Sequence, residues 1–529
     1  MNPRVLLFLC ALLAVQVSGG QARAGQPLPT NPDSVLTATV AGFPGEVLTL
    51  EDALAGARGQ APSARIAQAQ VTAAESAVRR EKGAFDPELF GRATMSGADT
   101  PSASLFAGAD VLQTESTELA AGARLKTTFG TEFSASLNSL RLSSNSSFSA
   151  LSPEYQSYGE LTMRHPLLKG FGPAARSDLT FAESTRDGAL ARYEGALLAL
   201  ATEVETVYWQ LYAAERNLGV TLMVRSQAQA FLDDTRLRAS AGMIGPSQVA
   251  NAEYFLTEAE QAVLDTEEDL DRLSDRLASL LGRRPEGKRF RPGDRPPGDF
   301  LVVDPDSLVA VARRQNPELQ AIMRDTEALK ARERGAVWDA RPSLDLVGGL
   351  GGNGLAGNPQ DVFFPGNPAP TRTTISGSRG DAASQALGRD FPTWNVGLVF
   401  SVPLGNREGS GERDRLRAEV VRSEQVLLSA QRAFEEEIRA QHRELERGRQ
   451  RLEIAGRGVS ASYKQVEIGM IEFQNGQATA FELVRLAADL GNAQQRYSQA
   501  LVRTARAAAV LRQLTGGWYN GNGTKENGS

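Results

Sequence analysis

Tyr158-Gly159-Glu160-Leu161-Thr162-Met163-Arg164-His165-Pro166-Leu167 and Asn395-Val396-Gly397-Leu398-Val399-Phe400-Ser401-Val402-Pro403-Leu404 are two versions of one pattern. Each is a short strand-like run that enters Pro-Leu and a glycine, followed by a long helix-like stretch. Proline cannot donate to a sheet ladder and biases its predecessor toward extended geometry, so the pattern predicts a sharp strand-to-helix junction, met twice in one chain. The second strand starts at Thr393, and its alternation is clear. Trp394, Val396, Leu398, Phe400 and Val402 point one way; Asn395, Gly397 and Ser401 point the other, with Val399 the one apolar residue on that face. About ten residues with one apolar and one small or polar face is the form of a membrane-barrel strand. A soluble β-domain between helices is the competing form.

Outward from these junctions the duplication continues. Ala61-Pro62-Ser63 and Arg80-Glu81-Lys82-Gly83-Ala84-Phe85-Asp86-Pro87 are matched by Asn316-Pro317-Glu318 and Arg332-Glu333-Arg334-Gly335-Ala336-Val337-Trp338-Asp339. Further on, Ala241-Gly242-Met243-Ile244-Gly245-Pro246-Ser247 interrupts one long helix and Gln474-Asn475-Gly476-Gln477-Ala478-Thr479 its counterpart. In both, glycine is expected to end one helix, and Ser247 or Thr479 to cap the next. The chain divides into a leader (1–24), a first repeat (25–281), a linker (282–306), a second repeat (307–514) and a disordered tail (515–529). Pro285, Pro292, Pro296 and Pro297 exclude a regular helix from the linker but leave room for a short strand.

The helix after Pro173 is expected to run to Ser240, roughly 100 Å at 1.5 Å per residue. Tyr193, Leu197, Leu200, Val204, Val207, Leu211, Ala214 and Leu218 alternate steps of four and three, a coiled-coil seam. In the counterpart, 412–474, Ile438, Leu445, Leu452, Val459 and Val466 recur every seventh residue. Helices 247–281 and 479–514 return antiparallel to these two. A plain helical bundle fits this periodicity equally well; the strands between the helices favour the duplicated architecture.

In the first repeat, strands are expected over Leu89–Met95 and Tyr158–His165. An additional hairpin between them has Leu119, Ala121, Ala123 and Leu125 on one face, turns near Phe129-Gly130, and continues with Phe133, Ala135 and Leu137. Ser343–Leu350 is a weaker strand. The Ser-, Asn-, Gly- and Pro-rich stretches 96–115, 143–153 and 353–389 are expected to be exposed loops.

The leader has Arg4, an apolar run from Val5 to Val15 too short to span a bilayer, and Ala22-Arg23-Ala24 as a cleavage site for export. Cys10 is the one cysteine of the 529 residues, so the exported chain has no disulfide or thiolate chemistry. After the leader no apolar run is long enough for a transmembrane helix, so membrane insertion requires strands closed into a barrel. A net charge of -6 argues against nucleic-acid binding. His165 and His442 are the two histidines and are far apart in sequence. Gly348-Gly349-Leu350-Gly351-Gly352 does not lead into a helix that would cradle phosphate. No catalytic, cofactor or metal site is expected.

Leu48-Thr49-Leu50-Glu51-Asp52-Ala53-Leu54, His165-Pro166-Leu167-Leu168-Lys169-Gly170-Phe171-Gly172 and Phe473-Gln474-Asn475-Gly476-Gln477-Ala478-Thr479-Ala480-Phe481-Glu482-Leu483-Val484 stand in the order and spacing of one family. Across 48–514 the chain resembles the TolC-like outer-membrane efflux proteins. The resemblance implies a mixed α/β membrane protein: an oligomeric outer-membrane β-barrel continued by a long antiparallel α-helical coiled-coil tunnel, built from two internal repeats per chain. It implies a homotrimer in which each protomer adds four strands to a shared barrel, so the extra hairpin either enlarges the barrel or folds outside it. It implies a channel in tripartite efflux or type I secretion, joined to a periplasmic adaptor and an inner-membrane transporter, with outer-membrane lipid around the barrel. The face of Trp394, Val396, Leu398 and Phe400 would meet that lipid. Gly242, Met243, Ile244, Ser247, Gln474, Gly476 and Thr479 would be the adaptor-docking tips. Glu482 stands where an acid of the periplasmic entrance is expected, whereas Arg485 occupies the place of a second acid. The rival reading is a non-conducting structural or adhesive periplasmic coiled-coil protein.

Overall fold

The computed structural model describes residues 32–104, 107–297, 300–364, 369–475 and 477–519. The expected leader and Gly476 lie outside the described residues. The first half comprises α1 (Pro32–Ala41), β1 (Glu46–Leu48), α2 (Leu50–Gln60), α3 (Pro62–Lys82), β2 (Glu88–Pro101), β3 (Val111–Lys126), β4 (Glu132–Ser144), β5 (Leu151–Pro166), α4 (Ser177–Ser240) and α5 (Pro246–Leu281). The second half comprises β6 (Phe290–Pro292), α6 (Pro305–Gln315), α7 (Pro317–Asp339), β7 (Ser343–Pro359), β8 (Asp361–Val362), β9 (Thr371–Arg372), α8 (Arg379–Gly388), β10 (Phe391–Ser401), α9 (Arg407–Gln474) and α10 (Ala480–Leu514). The order of a short strand, two helices, sheet strands and a long helical hairpin thus occurs twice.

Helices α4 and α9, of 64 and 68 residues, are about 100 Å long at 1.5 Å per residue. Toward the sheet, α4 packs on α3 and α7, and α7 packs on α9; toward the far end, α4 packs on α5 and α10, and α10 on α9. The seam residues Leu200, Val204, Val207, Leu211 and Leu218 of α4 and Ile438 and Leu445 of α9 are buried, as their spacing requires.

The core sits midway along α4, where that helix is buried on more than its seam. Tyr208 and Trp209 join Leu48, Phe290, Leu308 and Leu511 there. The Tyr208 hydroxyl is within 3.0 Å of both the Leu48 carbonyl and an Asp294 carboxylate oxygen, and accepts from the Gly293 and Asp294 amides at 3.1 Å. Burial pushes its pKa well above the usual tyrosine range. The linker contributes directly: β6 pairs in parallel with β1, Phe290 opposite Glu46. Beside this pair Arg291 donates to Glu215 at 2.6 Å and to the Val40 and Phe43 carbonyls at 2.6 and 2.9 Å. Glu215 is buried, and desolvation raises its pKa despite Arg291.

One antiparallel sheet of six strands, in the order β10-β7-β5-β4-β3-β2, is mounted on the helices. The four-strand contribution implied by resemblance is therefore exceeded. The hairpin β3–β4 lies inside the sheet, from Glu88 opposite Arg124 to Lys126 opposite Glu132 and Glu132 opposite Arg164.

Several expected loops are structured. β2 and β3 extend through most of 96–115, and β7 runs past its glycines to Pro359, because neighbouring strands satisfy their backbone groups wherever the sheet continues. Within 353–389, α8 starts on a Ser378–Asp381 capping box and lies over β7 and β5. A Cβ at Gly352 or Gly354 would strike the Ala386 or Ala382 carbonyl oxygen, so glycine allows this close approach. Residues 515–519, expected in the tail, also fold back. Tyr519 is buried and donates to the Leu301 carbonyl at 2.6 Å, and burial raises its pKa to about 12.

Candidate functional site

The sheet separates its side chains by chemistry. Across all six strands one row reads Leu89, Ala123, Ala135, Leu161, Leu350 and Trp394. The adjacent row on the opposite face reads Glu88, Arg124, Ser134, Thr162, Gly349 and Asn395. Leu398 and Phe400 of β10 and Met163 of β5 extend the apolar face. Trp394, Val396, Leu398 and Phe400 are 75, 73, 65 and 63% exposed in the single chain. Leaving such side chains in water is costly, roughly 1.5–3 kcal/mol each relative to full burial. A contiguous apolar face this broad marks a surface that meets another protein or a membrane.

The polar face carries paired charges. Arg164 donates to Asp345 at 3.2 and 2.8 Å and lies 3.6 Å from Glu132, tying β5 to β7 and β4. Arg124 lies over the Phe90 ring at 4.6 Å. Gly122 makes room for that ring, since a Cβ there would lie 2.5 Å from it.

The strand-to-helix junction is held by the residues of the duplicated pattern. The Thr131 hydroxyl is 2.8 Å from Nδ1 of His165, whose ring stands edge-on to Phe171; Phe171 in turn packs on Trp338. The Gly172 amide donates to the Phe129 carbonyl at 3.2 Å, so the β3–β4 turn is fastened to the start of the helical part. His165 thus has structural partners in Thr131 and Phe171. Among the described residues no group of three His, Cys, Asp or Glu side chains is placed to hold a metal ion. Among them, too, no helix is long and apolar enough to cross a membrane.

At the far end, α4 stops at Gly242, whose φ of +73° is a left-handed cap; the Met243 amide donates back to the Arg238 carbonyl at 3.0 Å. Met243 projects into solvent. Ser247 does not cap α5. Gly245 holds that position and Pro246 takes the first helical turn, where its missing N–H costs nothing. Thr479 does cap α10. Its hydroxyl accepts from the Glu482 amide at 3.3 Å, and Glu482 returns a carboxylate oxygen to the Thr479 amide at 2.8 Å. Glu482 is therefore engaged in a capping box, with Arg485 and Asp489 exposed further along α10. Near this end the two returning helices touch through Phe255 of α5 and Phe481 of α10, with ring centroids 5.7 Å apart and Tyr254 beside them. Sequence reasoning missed this aromatic contact, because neither ring breaks the helical pattern around it.

No protein-family model matches the sequence, and no curated protein matches it. Solved structures do. The outer-membrane channel OprN superposes with a TM-score of 0.63 at 18% identity, over 89% of this chain and 91% of that one. The CmeC outer-membrane channel of Campylobacter jejuni gives 0.57 at 14%, over 90 and 87%. The outer-membrane protein VceC of Vibrio cholerae gives 0.59 at 15%, over 89 and 97%. These superpositions cover 89 to 90% of the chain, so the chain has the fold of the TolC-like outer-membrane channel proteins.

Proposed function

We propose that the chain is the protomer of an outer-membrane channel serving a tripartite efflux or type I secretion system. The observation that carries this reading is the six-stranded sheet, with an exposed apolar face and a charged opposite face, mounted on helices about 100 Å long. Closed into a barrel by identical copies, such a sheet turns its apolar face to lipid and its polar face to a water-filled lumen. The long hairpins continue the wall into the periplasm as a homotrimeric tunnel. The tips around Gly242, Met243, Ile244, Ser247, Gln474, Gly476 and Thr479 are the proposed docking points for a periplasmic adaptor, which brings an inner-membrane transporter. Glu482 and Arg485 are placed at the proposed periplasmic entrance, with Glu482 also closing the first turn of α10.

In this reading the chain conducts passively and is not an enzyme. The purified chain, extracted from outer-membrane fractions, is expected to run as a heat-modifiable trimer and to conduct in planar bilayers. A water-soluble periplasmic monomer without conductance would instead establish the non-conducting coiled-coil alternative.

A further inference from the structure

We propose that three copies close into an eighteen-stranded barrel, β2 of one copy pairing with β10 of the next. The idea rests on the channel reading above, and it makes the β3–β4 hairpin part of the pore wall.

Four observations carry it. First, β2 and β10 end the sheet, and neither has a second strand partner among the described residues. Second, every neighbouring pair in the sheet is antiparallel, and six is an even number. β2 and β10 therefore run in opposite directions, and joining them between copies continues the alternation without a parallel seam. Third, the apolar row reaches both edges, Leu89 on β2 and Trp394 on β10, so the seam would continue one lipid-facing band. Fourth, the helices under the sheet follow the same lateral order. α3 leads into β2, β5 into α4, α7 into β7 and β10 into α9, and these helices pack in the row α3-α4-α7-α9. A copy that sets its α9 beside α3 brings its β10 beside β2.

Arc length agrees with a place for the hairpin in the wall. Four helices side by side at about 8–10 Å occupy about 32–40 Å. Six strands spaced about 4.8 Å and tilted about 40° occupy about 38 Å, whereas four occupy only about 25 Å. With the hairpin in the wall, the sheet matches the helical row on which it stands. The turn at Phe129-Gly130, tied to Gly172, fills the interval between the α3–β2 and β5–α4 junctions, where no helix emerges. Because barrel diameter grows roughly linearly with strand number, this barrel is about 1.5 times as wide as one of twelve strands.

The test is strand counting by cryo-electron microscopy of the full chain in lipid nanodiscs, paired with oxidative cross-linking. Cross-links are expected between copies when Ala93→Cys in β2 is combined with Val396→Cys or Leu398→Cys in β10, giving covalent trimers. None is expected within a copy between Ala93→Cys and Leu161→Cys, since β3 and β4 stand between them. A conducting trimer with twelve strands, or with the Ala93–Leu161 cross-link formed, overturns the eighteen-stranded barrel alone. Failure to form any conducting trimer overturns the channel reading with it.

Discussion

Glu46 shows how a single side chain ties the start of the fold to the linker. Its carboxylate accepts from Arg283 at 2.8 and 3.2 Å and from the Glu286 amide at 2.6 Å, joining β1 to the end of α5 and the start of the linker. The Arg283 hydrogen bonds hold its pKa below the usual glutamate value of 4.5. A carboxylate whose folded pKa lies below its unfolded one stabilises the fold above the unfolded value, and that contribution is lost as pH falls through the folded one. Both partners keep some contact with water, so the contribution is modest. Glu46→Gln is expected to cost about 1 kcal/mol at pH 7. The difference from wild type should shrink between pH 7 and an acidic pH below the lowered folded-state pKa, where both states are protonated. Denaturant titrations at the two pH values check it; an equal deficit at both would point to lost packing rather than lost charge. The sequence offered no sign of this contact, because 237 positions separate Glu46 from Arg283.

At the scale of elements, termini and seams were the legible parts. Thr479 was readable as a cap because a hydroxyl followed three residues later by a glutamate satisfies two orphan amides at once. Ser247 offered a hydroxyl alone, with Ala250 three residues on, and Pro246 ahead of it moved the helix start back to Gly245. Thr479→Ala is expected to cost about 1 kcal/mol and to speed amide exchange in the first turn of α10 while leaving the middle of α4 unchanged. Hydrogen exchange read by mass spectrometry resolves the two regions. The full lengths of β2, β3 and β7 were not legible, since Ser-, Gly- and Asn-rich stretches have low intrinsic strand preference and become strands only because a neighbour supplies the ladder. α8 was hidden for a related reason: its short helix rests on glycines of β5 and β7 that no local pattern connects to it.

Over the whole molecule, the two faces of the sheet make opposite demands. Leu398→Arg places a charge on the apolar face and is expected to cost about 2–4 kcal/mol if that position lies near the bilayer midplane, reducing recovery of folded trimer from membranes. Asn395→Arg, three residues away on the other face, is expected to leave trimer recovery intact and change ion selectivity in bilayer recordings. Equal recovery of the two variants would remove the lipid-facing assignment. By itself the sequence determined the duplication, the long helical hairpins, the strand-to-helix junctions and the apolar alternation of β10, because these depend on periodicity and on the backbone limits of proline and glycine. Only the tertiary structure decided that six strands share one sheet, that Tyr208 anchors the linker to the core, and that α5 and α10 touch through aromatic rings. Those arrangements depend on which distant segments satisfy each other's backbone groups and cover each other's apolar surface, and local sequence does not encode such pairings.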